Sequence, residues 1–289
     1  MAIENELKPI ATAYPAGHFY SPVVDPRFAT VEAARLWPEP PPAPLGIDFN
    51  DASHREILSE MFPRFMPGYD FPESVADPDN AIRFFTRNSQ FSWLDARALF
   101  VLLRAWRPER VIEVGSGYSS LLMAETNRRY LDGKCWIHCI EPYPRPFLLT
   151  GIRGLAGLTQ AKVQDVSLAF FEQLRAGDVL FIDSSHVAKT GSDVNHLYFE
   201  VLPRLASGVR VHIHDIFMPH DYPREWVIDE NRSWNEQYLL RALLMHSHAF
   251  RVLFGCSYAF ASYPDLVRLA LAHPRGHGFA GGSFWIEKT

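Results

Sequence analysis

The sequence predicts an α/β fold: a mostly parallel sheet with helices on both faces, an antiparallel C-terminal strand, and a Pro-rich N-terminal arm. Three observations carry that expectation. Short apolar runs alternate with stretches of helical periodicity from residue 92 to 247; the run 111–114 ends in a Gly-x-Gly turn; and the last two apolar runs lack a long amphipathic helix between them. Strands alternating with helices imply right-handed crossovers and a parallel sheet covered on both faces.

The arm comes first in the chain. Thirteen of the 22 prolines lie within residues 1–80, and Pro38-Glu39-Pro40-Pro41-Pro42-Ala43-Pro44 is expected to be stiff and extended. The same stretch carries Phe19, Tyr20, Phe28, Trp37, Phe49, Phe62, Phe65 and Phe71, more rings than a solvated linker uses, so the arm is expected to pack on a core domain spanning 81–289. The regular part opens with Leu94, Ala98, Leu99, Leu102 and Leu103 at helical spacing before Pro108. Strands are expected at 111–114, 135–140, 160–164, 178–183 and 209–214, and helices at 119–130, 145–152, 167–175, 192–206 and 235–247. The runs 250–254 and 283–287 close the sheet as an antiparallel pair, with one short helical candidate, Asp265 to Ala272, between them.

Composition narrows the function. With 47% hydrophobic and 21% charged residues, the 289-residue chain has ample apolar surface for a core. A net charge of −5, from 28 Lys and Arg against 33 Asp and Glu, leaves no cation excess for a phosphate backbone, so nucleic acid is not an expected partner. No apolar run reaches the ~18–20 residues that cross a bilayer, and the opening MAIENELKPI has no apolar signal core. Cys135, Cys139 and Cys256 form neither a disulfide framework nor a zinc pattern. A membrane is not expected either, and the expected location is the cytoplasm.

The strongest motif is Val111-Ile112-Glu113-Val114-Gly115-Ser116-Gly117-Tyr118-Ser119-Ser120, a buried strand running through a glycine turn into a helix. Gly115 and Gly117 let the backbone turn tightly and approach a ligand, and the helix start offers free N–H groups. Glu141 ends the next strand, where an acidic side chain accepts from a ribose diol. Together these indicate an adenosine-containing cofactor in a Rossmann-like domain. A pyrophosphate-binding turn reads GxGxxG, and Ser120 stands at its last position. Glu113 suits the cationic end of S-adenosylmethionine instead.

These residues resemble the class I S-adenosylmethionine-dependent methyltransferases, more closely a bacterial small-molecule branch, over residues 85–289. The family pattern E/D-x-G-x-G-x-G matches Glu113 to Ser119, with Ser119 in place of the third glycine. The resemblance implies S-adenosylmethionine contacts from Glu113, Gly115, Ser116, Gly117 and Ser119, a ribose contact from Glu141, an adenine contact from Asp165, and methylation of a small molecule, with oxygen the expected acceptor atom.

At the carboxyl edge of the sheet, Asp183, His186, His214 and Asp215 are expected to surround the transferred methyl group. Asp183, His186 and His214 are the catalytic candidates, with either histidine as general base. Asp183, His186 and Asp215 also offer a donor set for a divalent metal such as Mg²⁺, as in cation-dependent O-methyltransferases, although Ile216 stands where those enzymes supply a further oxygen. Strand alternation puts His214 and Asp215 on opposite faces, so they meet only if the chain leaves the strand at His214. Phe217 to Pro223 with Trp226 and Trp234, and His18-Phe19-Tyr20-Ser21 in the arm, are candidate substrate walls. Asn88 and Asp95 read as helix-entry polar groups. The alternatives are a nicotinamide-dependent oxidoreductase and a non-catalytic nucleotide-cofactor-binding protein.

Overall fold

The computed structural model describes residues 12–43, 45–91, 93–271 and 281–289; Pro44, Ser92 and Ala272 lie outside them, as does the opening decapeptide. One seven-stranded sheet has the order β3-β2-β1-β4-β5-β7-β6, from β1 (Arg110–Val114), β2 (Trp136–Ile140), β3 (Gly157–Thr159), β4 (Val179–Ile182), β5 (Arg210–Ile213), β6 (Phe250–Gly255) and β7 (Phe284–Lys288). The first five strands pair in parallel, and β7 inserts antiparallel between β5 and β6.

Central strands buried on both faces need apolar side chains on both, and Val179 to Ile182 are all fully buried. The two faces bury separate clusters. On one, Val111, Ile137 and Phe181 pack with Leu99 and Leu102 of the helix Trp93–Trp106 and Leu122 of the helix Tyr118–Tyr130; on the other, Ile112, Leu180 and Val211 pack with Leu197 and Val201 of the helical segment 193–204. Among the described residues, no helix is long and apolar enough to cross a membrane.

Two details depart from expectation. The third strand lies at 157–159 rather than 160–164, because β2 ends at Ile140, whose partner is Thr159, and no edge remains for later residues to pair with. Residues 163–165 form a 3₁₀ turn instead. The connection from β6 to β7 contains a second helix, Cys256–Ser262, before Pro264–Leu271, with Cys256, Ala259 and Tyr263 buried at helical spacing.

The N-terminal segment divides in two. Residues 12–43 lie mostly at the surface, with short helices at Pro26–Val31 and Ala33–Leu36 and Ala29 buried, while the helical segment 51–65 sends Ile57, Leu58 and Phe62 into the core. Asn50 Nδ2 and Ser53 Oγ donate to the carbonyls of Val252 and Leu253, and Gly255 N donates to His54 Nε2 at 2.9 Å, which ties this segment to β6.

Candidate active site

The glycine turn is built from contiguous sequence. Gly115 has φ +79, and a Cβ there would lie 1.7 Å from the Asp183 carbonyl oxygen, so the turn packs against the end of β4 only with glycine. Above Gly117 a Cβ would meet nothing within 4 Å. That space belongs to a cleft of about 530 Å³ that also reaches Ser116, Glu141, Asp183, His186 and Asp215. Its size is that of a small-ligand site.

Glu113 does not face the cleft. It is fully buried beneath the turn and accepts from Ser119 Oγ at 2.6 Å, from Ser120 Oγ, and from Cys139 Sγ at 3.1 Å. Burial pushes its carboxyl up to about 7, against three hydrogen bonds that favour the ionised form. Its position inside the sheet corrects the expected contact with the cofactor's cationic end: Glu113 braces the turn through the serines, of which Ser119 also lines the cleft. Ser120 also accepts from Gly117 N at 3.1 Å, so this serine locks the turn.

Glu141, the expected ribose contact, lines the cleft. Its Oε2 accepts from Ser116 N at 3.1 Å and its Oε1 from Tyr143 N at 2.8 Å, which fixes the carboxylate in the cleft wall. Asp165 is exposed at the end of the 3₁₀ turn and is not part of that wall, because the third strand stops before it. The expected adenine contact is therefore not assembled in this structure.

Beyond β4 and β5 the acidic half takes shape. His186 and Asp215 adopt left-handed backbone conformations, with φ +60 and +57. Non-glycine residues rarely hold such angles, and they cluster at functional sites. The left-handed turn at Asp215 carries the chain off β5 so that Asp215 and His214 both reach the cleft, as their joint use requires. His186 Nε2 lies 3.4 Å from Asp183 Oδ1 and 3.3 Å from Asp215 Oδ2, and one ligand atom from each of Asp183, His186 and Asp215 lies within 4.8 Å of the others.

Two groups that the sequence reading left unassigned or bland, Glu236 and Asp95, complete the arrangement with Trp234 from the expected wall. Glu236, fully buried at the start of the helix Glu236–His246, places Oε2 3.0 Å from His186 Nδ1. Asp95, in the first turn of the helix Trp93–Trp106 as expected of a helix-entry group, also lies 3.5 Å from His214 Nε2 and accepts from the backbone N–H groups of Gly282 and Ser283, which makes it a site neighbour as well. Trp234 sets its ring 4.5 Å from that of His186.

The charges are coupled. Burial alone would raise the Asp183 carboxyl, but His214 and His186 outweigh it and hold it far below the usual range. Burial would lower His186, but its bonds to Asp183 and Glu236 and the charge of Asp215 raise it to about 10. His214 is likewise raised well above normal by Asp215 and Asp183, against burial. His212, on the buried face, stacks on Phe181 at 3.7 Å and its Nε2 lies 2.9 Å from Ser283 Oγ, outside the cleft.

Of the expected walls, Trp226 and Trp234 line the cleft, and Phe217 and Met218 are buried. The arm residues His18 to Ser21 do not line it: their rings stack on one another and on Tyr14, with Phe19 81% exposed. The arm still touches the cap over the cleft, where Val24 N donates to Ser233 Oγ and Trp37 Nε1 donates to the Tyr222 carbonyl.

Residues 112–216 match a family model described as a methyltransferase domain. An uncharacterized protein of Archaeoglobus fulgidus is 33% identical over 176 residues, which cover 59% of this chain and 78% of that protein. Among solved structures, the crystal structure of an O-methyltransferase from Streptomyces achromogenes involved in tomaymycin synthesis, in complex with SAM, aligns with 91% of this chain and 97% of its own at 13% identity and a TM-score of 0.42. A DUF574 family protein of Streptomyces avermitilis aligns with 67% of this chain and 80% of its own, at 12% identity and a TM-score of 0.36.

Proposed function

We propose, from the methyltransferase-domain match over residues 112–216, that this chain is a class I methyltransferase that binds S-adenosylmethionine in the cleft and transfers the methyl group to a hydroxyl of a small molecule. The observation that carries the reading is a continuous cleft with the glycine turn and Glu141 at one end and Asp183, His186 and Asp215 at the other. Glu141 would hold the cofactor's ribose, and Ser116 and Gly117 would line its chain beside the acidic end. In-line displacement there disperses charge, so alignment supplies most of the rate. Ser120, bonded to Glu113 inside the turn, supports this cofactor over a nicotinamide dinucleotide, whose pyrophosphate favours a glycine at that position. Three buried, unpaired cysteines suit the reducing cytoplasm.

We assign Asp183, His186 and Asp215 to holding a divalent cation rather than His186 or His214 to removing a proton. Two carboxylate oxygens and one imidazole nitrogen are a fitting donor set for such an ion, and Glu236 behind His186 is the partner that orients metal-binding imidazoles. A bound cation would lower the pKa of the acceptor hydroxyl. The protein's part is to aim His186 Nε2 through Glu236 and to hold Asp183 ionised through His214 and His186.

Calorimetry with S-adenosylmethionine, S-adenosylhomocysteine and NAD tests the cofactor: binding of the first two and not the third is expected, and the reverse would overturn the reading. Binding of Mn²⁺, followed by paramagnetic resonance, tests the cation. Glu236→Gln is expected to weaken it about 10–100-fold, the usual cost of losing a partner behind a ligand histidine. Unchanged Mn²⁺ affinity would remove Glu236 from that role, and absence of binding to the unaltered protein would return the site to metal-free chemistry.

A further inference from the structure

The cap between β5 and the helix Glu236–His246 places a cation in the cleft wall that the proposed reaction does not use. The Arg232 guanidinium lies 4.3 Å from the Trp226 ring centre and 4.6 Å from that of Trp234. The two indoles stand 5.3 Å apart, nearly perpendicular, and Trp234 continues onto His186. Backbone bonds fix the clamp: Arg232 N donates to the Trp226 carbonyl at 2.8 Å, and Asn235 N and Glu236 N donate to the His186 carbonyl. Two aromatic faces hold a planar guanidinium in a set orientation, and its rigid fork of donors matches a carboxylate.

The rest of this end of the cleft carries Asp183 and Asp215 in the wall with His186 and His214 between them, and Glu236 behind it. Arg232 pairs with Glu230, but 34% and 47% of the two side chains stay accessible, and ion pairs that solvent reaches contribute little. The other arginine in the wall, Arg145, follows β2 and donates to Gln90 Oε1 at 2.8 Å, on the Glu141 side. The sheet order β2-β1-β4-β5 puts Arg232, which follows β5, on the side away from the ribose carboxylate.

We propose that the methyl acceptor is a flat small molecule bearing a carboxylate, and that Arg232, clamped between Trp226 and Trp234, is the residue that selects it. The inference rests on the methyltransferase reading and names its substrate class. The acceptor's ring lies against the indoles, its carboxylate takes the guanidinium fork in place of Glu230, and its hydroxyl reaches Asp183, His186 and Asp215.

The test uses the full chain saturated with S-adenosylhomocysteine and titrated calorimetrically with para-hydroxybenzoate, para-hydroxycinnamate and para-hydroxyphenylacetate, each against its methyl ester. At least one acid is expected to bind about tenfold tighter than its ester, as a charge-assisted bidentate contact allows. Arg232→Met should erase that preference and leave S-adenosylhomocysteine affinity within about twofold, while Arg232→Lys, which keeps the charge without the fork, should fall between. Should the Met variant fail to fold, the Lys variant and the loss of acid preference in high salt carry the same test. Equal binding of acids and esters, or of neither, overturns the proposal. So does a Met variant that loses S-adenosylhomocysteine affinity with an unchanged melting curve, since Arg232 would then serve the cofactor's own carboxylate. Failure of S-adenosylhomocysteine to bind the unaltered protein is a separate result, and it overturns the methyltransferase reading itself.

Discussion

The two ends of the cleft are built in different ways. At the cofactor end, Glu113, Gly115, Gly117, Ser119 and Ser120 come from one strand, turn and helix start, and Glu141 arrives from the adjacent strand through the parallel register that sets Val114 beside Ile140. At the acidic end, Asp95, Asp183, His186, Asp215 and Glu236 come from four separate segments, and Glu236 lies 50 residues from the histidine it faces. The first end is a local structure that the sheet positions. The second exists only once the sheet, the cap and the C-terminal strand are together, and it relies on two left-handed residues that only packing holds in place.

That contrast predicts large, separable effects at the cofactor end. Gly117→Val should abolish S-adenosylhomocysteine binding, because its side chain would fill open cleft, and should leave the melting midpoint near that of the unaltered protein. Normal binding by this variant, measured by calorimetry, would mean that the turn is only structural.

The next effect in size lies outside both ends and serves as their control. His54 accepts from Gly255 N through Nε2, and its Nδ1 lies 3.2 Å from the Asn50 carbonyl, so it is held as a neutral imidazole. Burial pushes its pKa down to about 4, against the Asn50 bond and the Asp51 charge. The unfolded chain binds the proton more readily than the folded one, so stability falls as pH drops from about 6.5 to about 4, by roughly 3 kcal/mol from this group. Urea melts of the protein and of His54→Gln at pH near 7 and near 4.5 check this: the acid-induced loss should be smaller in the variant, and an equal loss would remove His54 as its source.

The smallest effect sharpens the comparison at a single contact. Glu141→Ala should weaken S-adenosylhomocysteine by about 1.5–3 kcal/mol, the range for hydrogen bonds to a charged group, and leave Mn²⁺ affinity unchanged because the carboxylate stands at the other end of the cleft. Coupled losses of both ligands would show that the two ends are not separate.

The sequence by itself determined the sheet, its antiparallel close and the glycine turn, because each is written in neighbouring residues: apolar runs of strand length, helical spacing, and glycines where a side chain would strike the backbone of β4. It also marked Asp183, His186, His214 and Asp215, since strand ends are visible as the points where apolar runs stop. Tertiary structure decided the rest. Glu113 and Glu141 look alike as acids near a glycine turn, but one points under the turn and the other into the cleft, and the strand's alternation sets a face without saying what covers it. Glu236 reads in sequence as an ordinary acidic residue in a helix's first turn, a favourable position on dipole grounds alone. Arg232 reads as a loop cation. Asp165 missed the cleft because the third strand ended where its partner ended. In each case the side chain's role depends on which distant segment it meets, and a contact across tens of residues leaves no periodic trace in the chain that carries it.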